Sequence, residues 1–182
     1  MRATVLLAVV MAGIYGLELG GDGMALCRAY GFVPAKAELG TALSSVFFHD
    51  PGSALHLAGN LAFLIVFGGV VEGALGSIAL LALFAAAGLG GAGVHYLVDP
   101  NTTTPLVGAS GAIFGLLAVA GVLRPRLLGF VLAFGAVNVW FAFFGGSESA
   151  SFGCHLGGLF TGAIAVGTVR AVAPEALNTE LA

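Results

Sequence analysis

Residues 55–98 read LHLAGNLAFLIVFGGVVEGALGSIALLALFAAAGLGGAGVHYLV, an apolar stretch broken by one charge, Glu72. A helix of about 20 residues crosses a bilayer core of roughly 30 Å, so this stretch reads as two spans, about Leu55 to Leu75 and about Ser77 to Val98. Working outward, four more apolar runs appear: about Thr4 to Leu19, Ser110 to Leu123, Leu127 to Phe144 and Cys154 to Val172. The expected fold is therefore an all-α membrane protein with six transmembrane helices. Composition agrees, with 59% hydrophobic residues, 8% charged residues and a mean hydropathy of +1.06. The run from Ser110 holds only about 14 residues, short for a full span, and is expected to begin inside the membrane. The triplet Arg124-Pro125-Arg126 ends it as a breaker.

A single domain is expected over residues 1–182, with a core at about 38–172 and a short polar tail at 173–182. Arg2 ahead of an apolar run could open a signal peptide, but the run continues to Glu18 and the remaining chain is already polytopic. With six spans, Arg2, Arg124, Arg126 and Arg170 fall on one side, which the positive-inside rule assigns to the cytoplasm together with the N-terminus. The chain carries no organellar presequence, so the expected location is multi-pass in a prokaryotic plasma membrane. The long loop from about Gly20 to Ala54 then lies outside. Its Met24, Leu26, Tyr30, Phe32, Val33, Val46, Phe47 and Phe48 predict a segment packed on the bundle at the interface.

Polar residues inside spans are costly and therefore informative. They are His56, Asn60, Glu72, Ser110, Asn138 and His155. His56 and Asn60, four apart, share one helix face near its outer end, where Ser110 and His155 open the fourth and sixth spans. Gly111 and Gly115 form a small-residue ridge on one helix, and His155, Gly158 and Gly162 share a face of the other. Such ridges let membrane helices approach closely. The pattern suits a Ser/His pair in which imidazole takes the hydroxyl proton as serine attacks a carbonyl, with His56, Asn60 and the Ser110 backbone N–H as oxyanion donors.

These residues also carry a resemblance. HLAGN at 56–60, GGVVEGALGS at 68–77, GASGAIFG at 108–115 and GCHLGGLFTG at 153–162 occur in the order found in rhomboid intramembrane serine proteases, and the chain resembles that family from about Glu38 to Gly167. The resemblance implies a six-helix bundle with Ser110 as nucleophile and His155 as general base without an acidic third member. It implies an oxyanion hole of His56, Asn60 and the Ser110 N–H, with Gly108 leaving room beside them. It also implies cleavage of single-span transmembrane proteins near the outer membrane face, from an outward-open hydrophilic cavity. The partners it implies are transmembrane-helix substrates and the lipid bilayer, with no cofactor, no metal and no nucleic acid.

Several positions depart from the family pattern. Gly40 and Thr41 replace a Trp-Arg pair, Glu72-Gly73-Ala74 replaces Glu-x-Arg, and Phe114 replaces a Tyr four residues after the nucleophile. Two additional residues separate His49 from His56. Phe114 is expected to pack on His155, and His49 to shape the loop above the site. Glu72 is expected to be structural, Asn138 to hydrogen-bond a neighbouring helix, His95 to anchor at the interface beside Tyr96, and Cys27 and Cys154 to be small buried side chains. The competing readings are a catalytically silent rhomboid-like protein that binds transmembrane helices and a small transporter. A transporter should show charges at mid-depth or broken helices in a repeat, and the sequence has neither.

Overall fold

The computed structural model describes residues 1–144 and 149–172; the tail 173–182 and the connection carrying Glu148 lie outside the described residues. The order of elements is α1 (Arg2–Gly20), α2 (Gly23–Tyr30), α3 (Leu39–Ser44), a 3-10 turn (Ser45–Phe47), α4 (Ala54–Phe63), a π-helical segment (Leu64–Gly68), α5 (Gly69–Val98), α6 (Ser110–Leu123), α7 (Pro125–Phe144) and α8 (Ser149–Val172). Three described stretches are long and apolar enough to cross a membrane: Arg2–Gly20, Ala54–Val98 and Pro125–Phe144.

Ala54–Val98 is helical over 45 residues but is not one rod. Gly76 takes φ 84 and ψ 168, a backbone conformation reserved for glycine. The surroundings show that the chain folds back there. His56 lies against Gly108, and Gly91 lies against Gly111. A straight helix would separate residues 56 and 91 by about 50 Å, whereas 108 and 111 are at most about 11 Å apart. Two antiparallel arms therefore meet at Gly76.

Glu72 fastens that turn to the start of α1. Its carboxylate accepts from the Ala3 N–H at 2.8 Å, the Thr4 N–H at 2.9 Å, the Thr4 hydroxyl at 2.6 Å and the Ser77 hydroxyl at 2.6 Å. The first N–H groups of a helix have no intrahelical partner and carry the positive end of its dipole, so a buried carboxylate is well held there. This explains how the chain manages without the Glu-x-Arg contact.

α6 is the central helix, with every residue from Gly111 to Gly121 except Ala118 buried. Its 14 residues span only about 21 Å. The chain enters it through a loop pinned by the antiparallel pair Phe32 N–H to Leu106 O (3.0 Å) and Leu106 N–H to Phe32 O (2.8 Å), and by the Gly108 N–H to Ser45 O bond (3.0 Å). The segment between α1 and α4 thus packs on the bundle, with Cys27, Phe32 and Val46 buried, although Met24 and Tyr30 are exposed. Cys27 and Cys154 are both buried free thiols.

Small residues bring α5, α6 and α8 into backbone contact. A Cβ on Gly91 would lie 3.4 Å from the Gly111 Cα. One on Gly158 would lie 3.2 Å from the same Cα and collide with the Gly111 carbonyl. One on Gly162 would collide with the Gly115 carbonyl and reach the Ala118 Cβ at 2.9 Å.

Three details correct the sequence reading. α8 begins at Ser149 rather than near Cys154, so His155 sits more than a turn inside its helix instead of opening it. Ser and Ala before the apolar run are compatible with helix and give no stop signal. Only Arg124 of the expected breaker lies outside helix, because proline is well suited to the first position of α7. His95 is buried in α5 rather than exposed at an interface, since that arm packs against both α6 and α8.

Gly158→Ala should therefore destabilise the fold by about 1–3 kcal/mol or more, the usual range for overpacking a close contact. Gly93→Ala on α5, with open space around it, should be neutral or slightly stabilising. Thermal melts of the purified protein in detergent check both, and equal melting of the two variants would contradict the packing.

Candidate active site

Ser110 is the first residue of α6, with Ala109 as its N-cap. Its side chain meets the imidazole of His155 from α8, with Oγ 2.9 Å from Nε2. The other ring nitrogen, Nδ1, lies 2.6 Å from the Asn138 Oδ1 on α7. Asn138 Nδ2 in turn donates to the Phe134 carbonyl one turn earlier at 2.7 Å. The imidazole is also held between rings. Phe114, one turn below Ser110, stacks on it at 4.4 Å with an interplanar angle of 2°, and Phe152 presents an edge at 5.7 Å and 90°. Phe114 thus packs where the sequence reading expected it.

The opposite wall comes from α4. Ser53 caps that helix by accepting from the His56 N–H at 3.3 Å, and Asp50 shapes the turn before it through the Gly52 N–H at 2.9 Å. The two additional residues before His56 thus belong to a capped turn. His56 Nδ1 accepts the Asp50 N–H at 3.5 Å, which leaves the proton on Nε2. That nitrogen faces Gly108. A Cβ on Gly108 would lie 2.7 Å from it, and φ of 116 at Gly108 is a second reason for glycine there. Asn60 donates to the His56 carbonyl at 2.8 Å, and its amide nitrogen lies 3.9 Å from the same Cβ position.

Ser110, His155, His56, Asn60 and Phe114 line one cavity of about 230 Å³ with Gly59, Phe63, Ile113 and Phe134. The four polar residues that the sequence placed at one depth therefore meet at one site. Gly111, Gly158 and Gly162 lie behind it in the α6–α8 contact. Chemically, the site offers a hydroxyl beside an imidazole nitrogen, two side-chain N–H donors across a small gap, and the first N–H groups of α6.

Sequence reasoning placed Asn138 against a neighbouring helix without identifying His155 as its partner. An amide in an apolar span signals a buried partner. Which one depends on how α7 and α8 turn toward each other. Phe152 carries no comparable signal, because aromatic residues are common in membrane helices.

His49 stands behind the site in the loop before α4. It is fully buried, its N–H donates to Glu18 Oε1 at 3.0 Å, and its ring meets that of His56 edge-on at 5.1 Å. Burial, helped by the neighbouring His56, pushes its pKa down to about 4.

The rhomboid domain pattern matches residues 36–171. The chain belongs to the rhomboid family. Two curated relatives come from Arabidopsis thaliana. RHOMBOID-like protein 5 is 40% identical over 75 residues, covering 41% of this chain and 24% of the relative. Rhomboid-like protein 11, chloroplastic, is 43% identical over 65 residues, covering 36% of this chain and 23% of the relative. The matched stretch spans about a quarter of each of these relatives. Family membership and the apolar helices identify the chain as an integral membrane protein.

His49 makes stability depend on pH. The ring stays neutral in the folded protein down to about pH 4, while in the unfolded chain it takes up a proton near its ordinary value of 6.5. Between these values the unfolded state binds more protons, so stability falls as pH drops from 6.5 toward 4. The melting temperature should be lower at pH 5 than at pH 7, and His49→Gln should shrink that difference. An unchanged difference in the variant would assign it to other groups.

Proposed function

We propose that this rhomboid is an intramembrane serine endopeptidase that cleaves single-span transmembrane proteins near the outer membrane face. The observation that carries the reading is the 2.9 Å contact between Ser110 Oγ and His155 Nε2, in a cavity shared with His56 and Asn60. Ser110 Oγ attacks the scissile carbonyl carbon as His155 Nε2 takes its proton. The carbonyl oxygen becomes an oxyanion beside the His56 Nε2–H, the Asn60 amide and the Ser110 backbone N–H, donors already fixed before reaction. Protonated His155 then gives its proton to the departing amine. Water enters the cavity, gives a proton to His155 and attacks the acyl-Ser110 ester, and return of that proton to Ser110 Oγ releases the new carboxyl end.

This reading takes the bundle as six spans: α1, the two arms that meet at Gly76, α6, α7 and α8. The basic residues Arg2, Arg124, Arg126 and Arg170 favour a cytoplasmic N-terminus and put the mouth of the cavity on the other side. A prokaryotic plasma membrane is part of the same reading. The substrates are transmembrane helices, which reach the site through the bilayer.

Wild type reconstituted in liposomes should cleave a single-span reporter, and Ser110→Ala and His155→Ala should each abolish cleavage. Loss of one oxyanion donor, as in Asn60→Ala, should cost about 100- to 1000-fold in kcat. If Ser110→Ala cuts like wild type, Ser110 is not the nucleophile. The rate should also fall in acid once His155 becomes protonated, and a full rate at a pH where 15N NMR shows the His155 ring protonated would contradict a neutral imidazole base.

A further inference from the structure

We propose that Asn138 is the positioning residue of this active site, holding His155 in the one tautomer that can accept a proton from Ser110. The inference rests on the protease reading above and adds a third member to its Ser/His pair. No carboxylate contacts the His155 ring among the described residues. The ring touches Ser110, Asn138, Phe114 and Phe152, and His56 on α4 is the titratable group facing it across the cavity.

Which atoms can donate fixes the tautomer. A backbone carbonyl only accepts, so the Asn138 group bonded to the Phe134 carbonyl at 2.7 Å is its NH2. The amide oxygen must then be the atom 2.6 Å from His155 Nδ1. An amide oxygen also only accepts, so Nδ1 carries the proton. Neutral imidazole has one N–H, which leaves Nε2 as a lone pair facing the Ser110 hydroxyl at 2.9 Å. Each bond in the chain Phe134–Asn138–His155–Ser110 sets the direction of the next.

Asn138 is well placed to hold that direction. It is buried, and its amide plane is tied to the turn of α7 that begins at Phe134. The Phe134 ring stacks on Phe114 at 5.3 Å, and Phe114 stacks on His155, so the same turn supports the imidazole by its face and by its edge. The contact should strengthen during reaction. When His155 takes the serine proton it becomes a cation, and its Nδ1–H becomes a charged donor to the Asn138 oxygen, a stronger bond than the neutral one. Asn138 touches neither substrate nor the reacting oxygen and acts through His155.

The test compares wild type, Asn138→Leu and Asn138→Asp in liposomes, with reporter kinetics carried from pH 9 down through the acid limb of the wild type and 15N NMR of labelled histidine. Asn138→Leu fills a similar volume without an acceptor. Its kcat should fall about 10- to 100-fold, the usual worth of a hydrogen bond to a charged group, with KM changed less than about twofold. In wild type His155 should read as the Nδ1–H tautomer, and in Asn138→Leu that signature should be lost. Asn138→Asp keeps an acceptor and adds a negative charge that favours the imidazolium. It should retain cleavage and move the acid limb of the rate profile to higher pH.

Wild-type kcat in Asn138→Leu, or an acid limb in Asn138→Asp that coincides with wild type, would overturn the assignment. Should the leucine variant fail to fold, the aspartate profile and the wild-type tautomer decide the matter. A wild type that cuts no reporter while His155 still reads as Nδ1–H would overturn the protease reading and leave the Asn138 contact standing. The two failures are thereby distinguished.

Discussion

Everything at the site depends on α6 and α8 touching backbone to backbone. Gly158 lies against Gly111, and Gly162 against Gly115, with no room for a side chain between them. In a bilayer, helices gain little from burying apolar surface against each other, because lipid is as apolar as they are. Close van der Waals contact between small residues is the available attraction. It also sets the distance across which Ser110 and His155 meet. One turn below Ser110, Phe114 reaches across to lie flat on the imidazole, so the packing that joins the helices also orients that ring.

Around this contact the remaining elements each supply one constraint. The reversal at Gly76 returns the chain so that one arm carries His56 and Asn60 to the cavity while the other packs behind Gly111. Glu72 ties that reversal to the first turn of α1 through three hydrogen bonds and accepts a fourth from Ser77 just past the reversal, at the end of the arm remote from the site. The segment between α1 and α4 pins the entry to α6 by bonds from Phe32 to Leu106 and from Gly108 to Ser45. That entry holds Gly108 in a conformation open to glycine, beside the His56 ring. The short α6 thus starts at the polar site, and the loop backbone leading into it is held by hydrogen bonds to the segment before α4.

Much of this was legible in the sequence because bilayer physics restricts what a polar residue can do. The apolar runs delimit the helices, and the bounds of α6 agree with its run from Ser110 to Leu123. The four-residue spacing of His56 and Asn60 places both on one face, and both line the cavity. What could not be read were features that depend on how helices rotate against one another. Asn138 announced a buried partner but not His155. The start of α8 was missed because Ser149 to Ser151 neither favour nor stop a helix strongly. The hydrogen bonds of Glu72 to α1 were equally hidden, since nothing in the sequence brings residue 72 to residues 3 and 4.

A nucleophilic Ser110 activated by His155 should react with a fluorophosphonate serine probe in the reconstituted protein, and mass spectrometry locates the adduct. Labelling is expected at Ser110 in wild type and should be lost in His155→Ala, with the variant still folded. Labelling of folded His155→Ala at the wild-type rate, or folded wild type left unlabelled at Ser110, would contradict that activation.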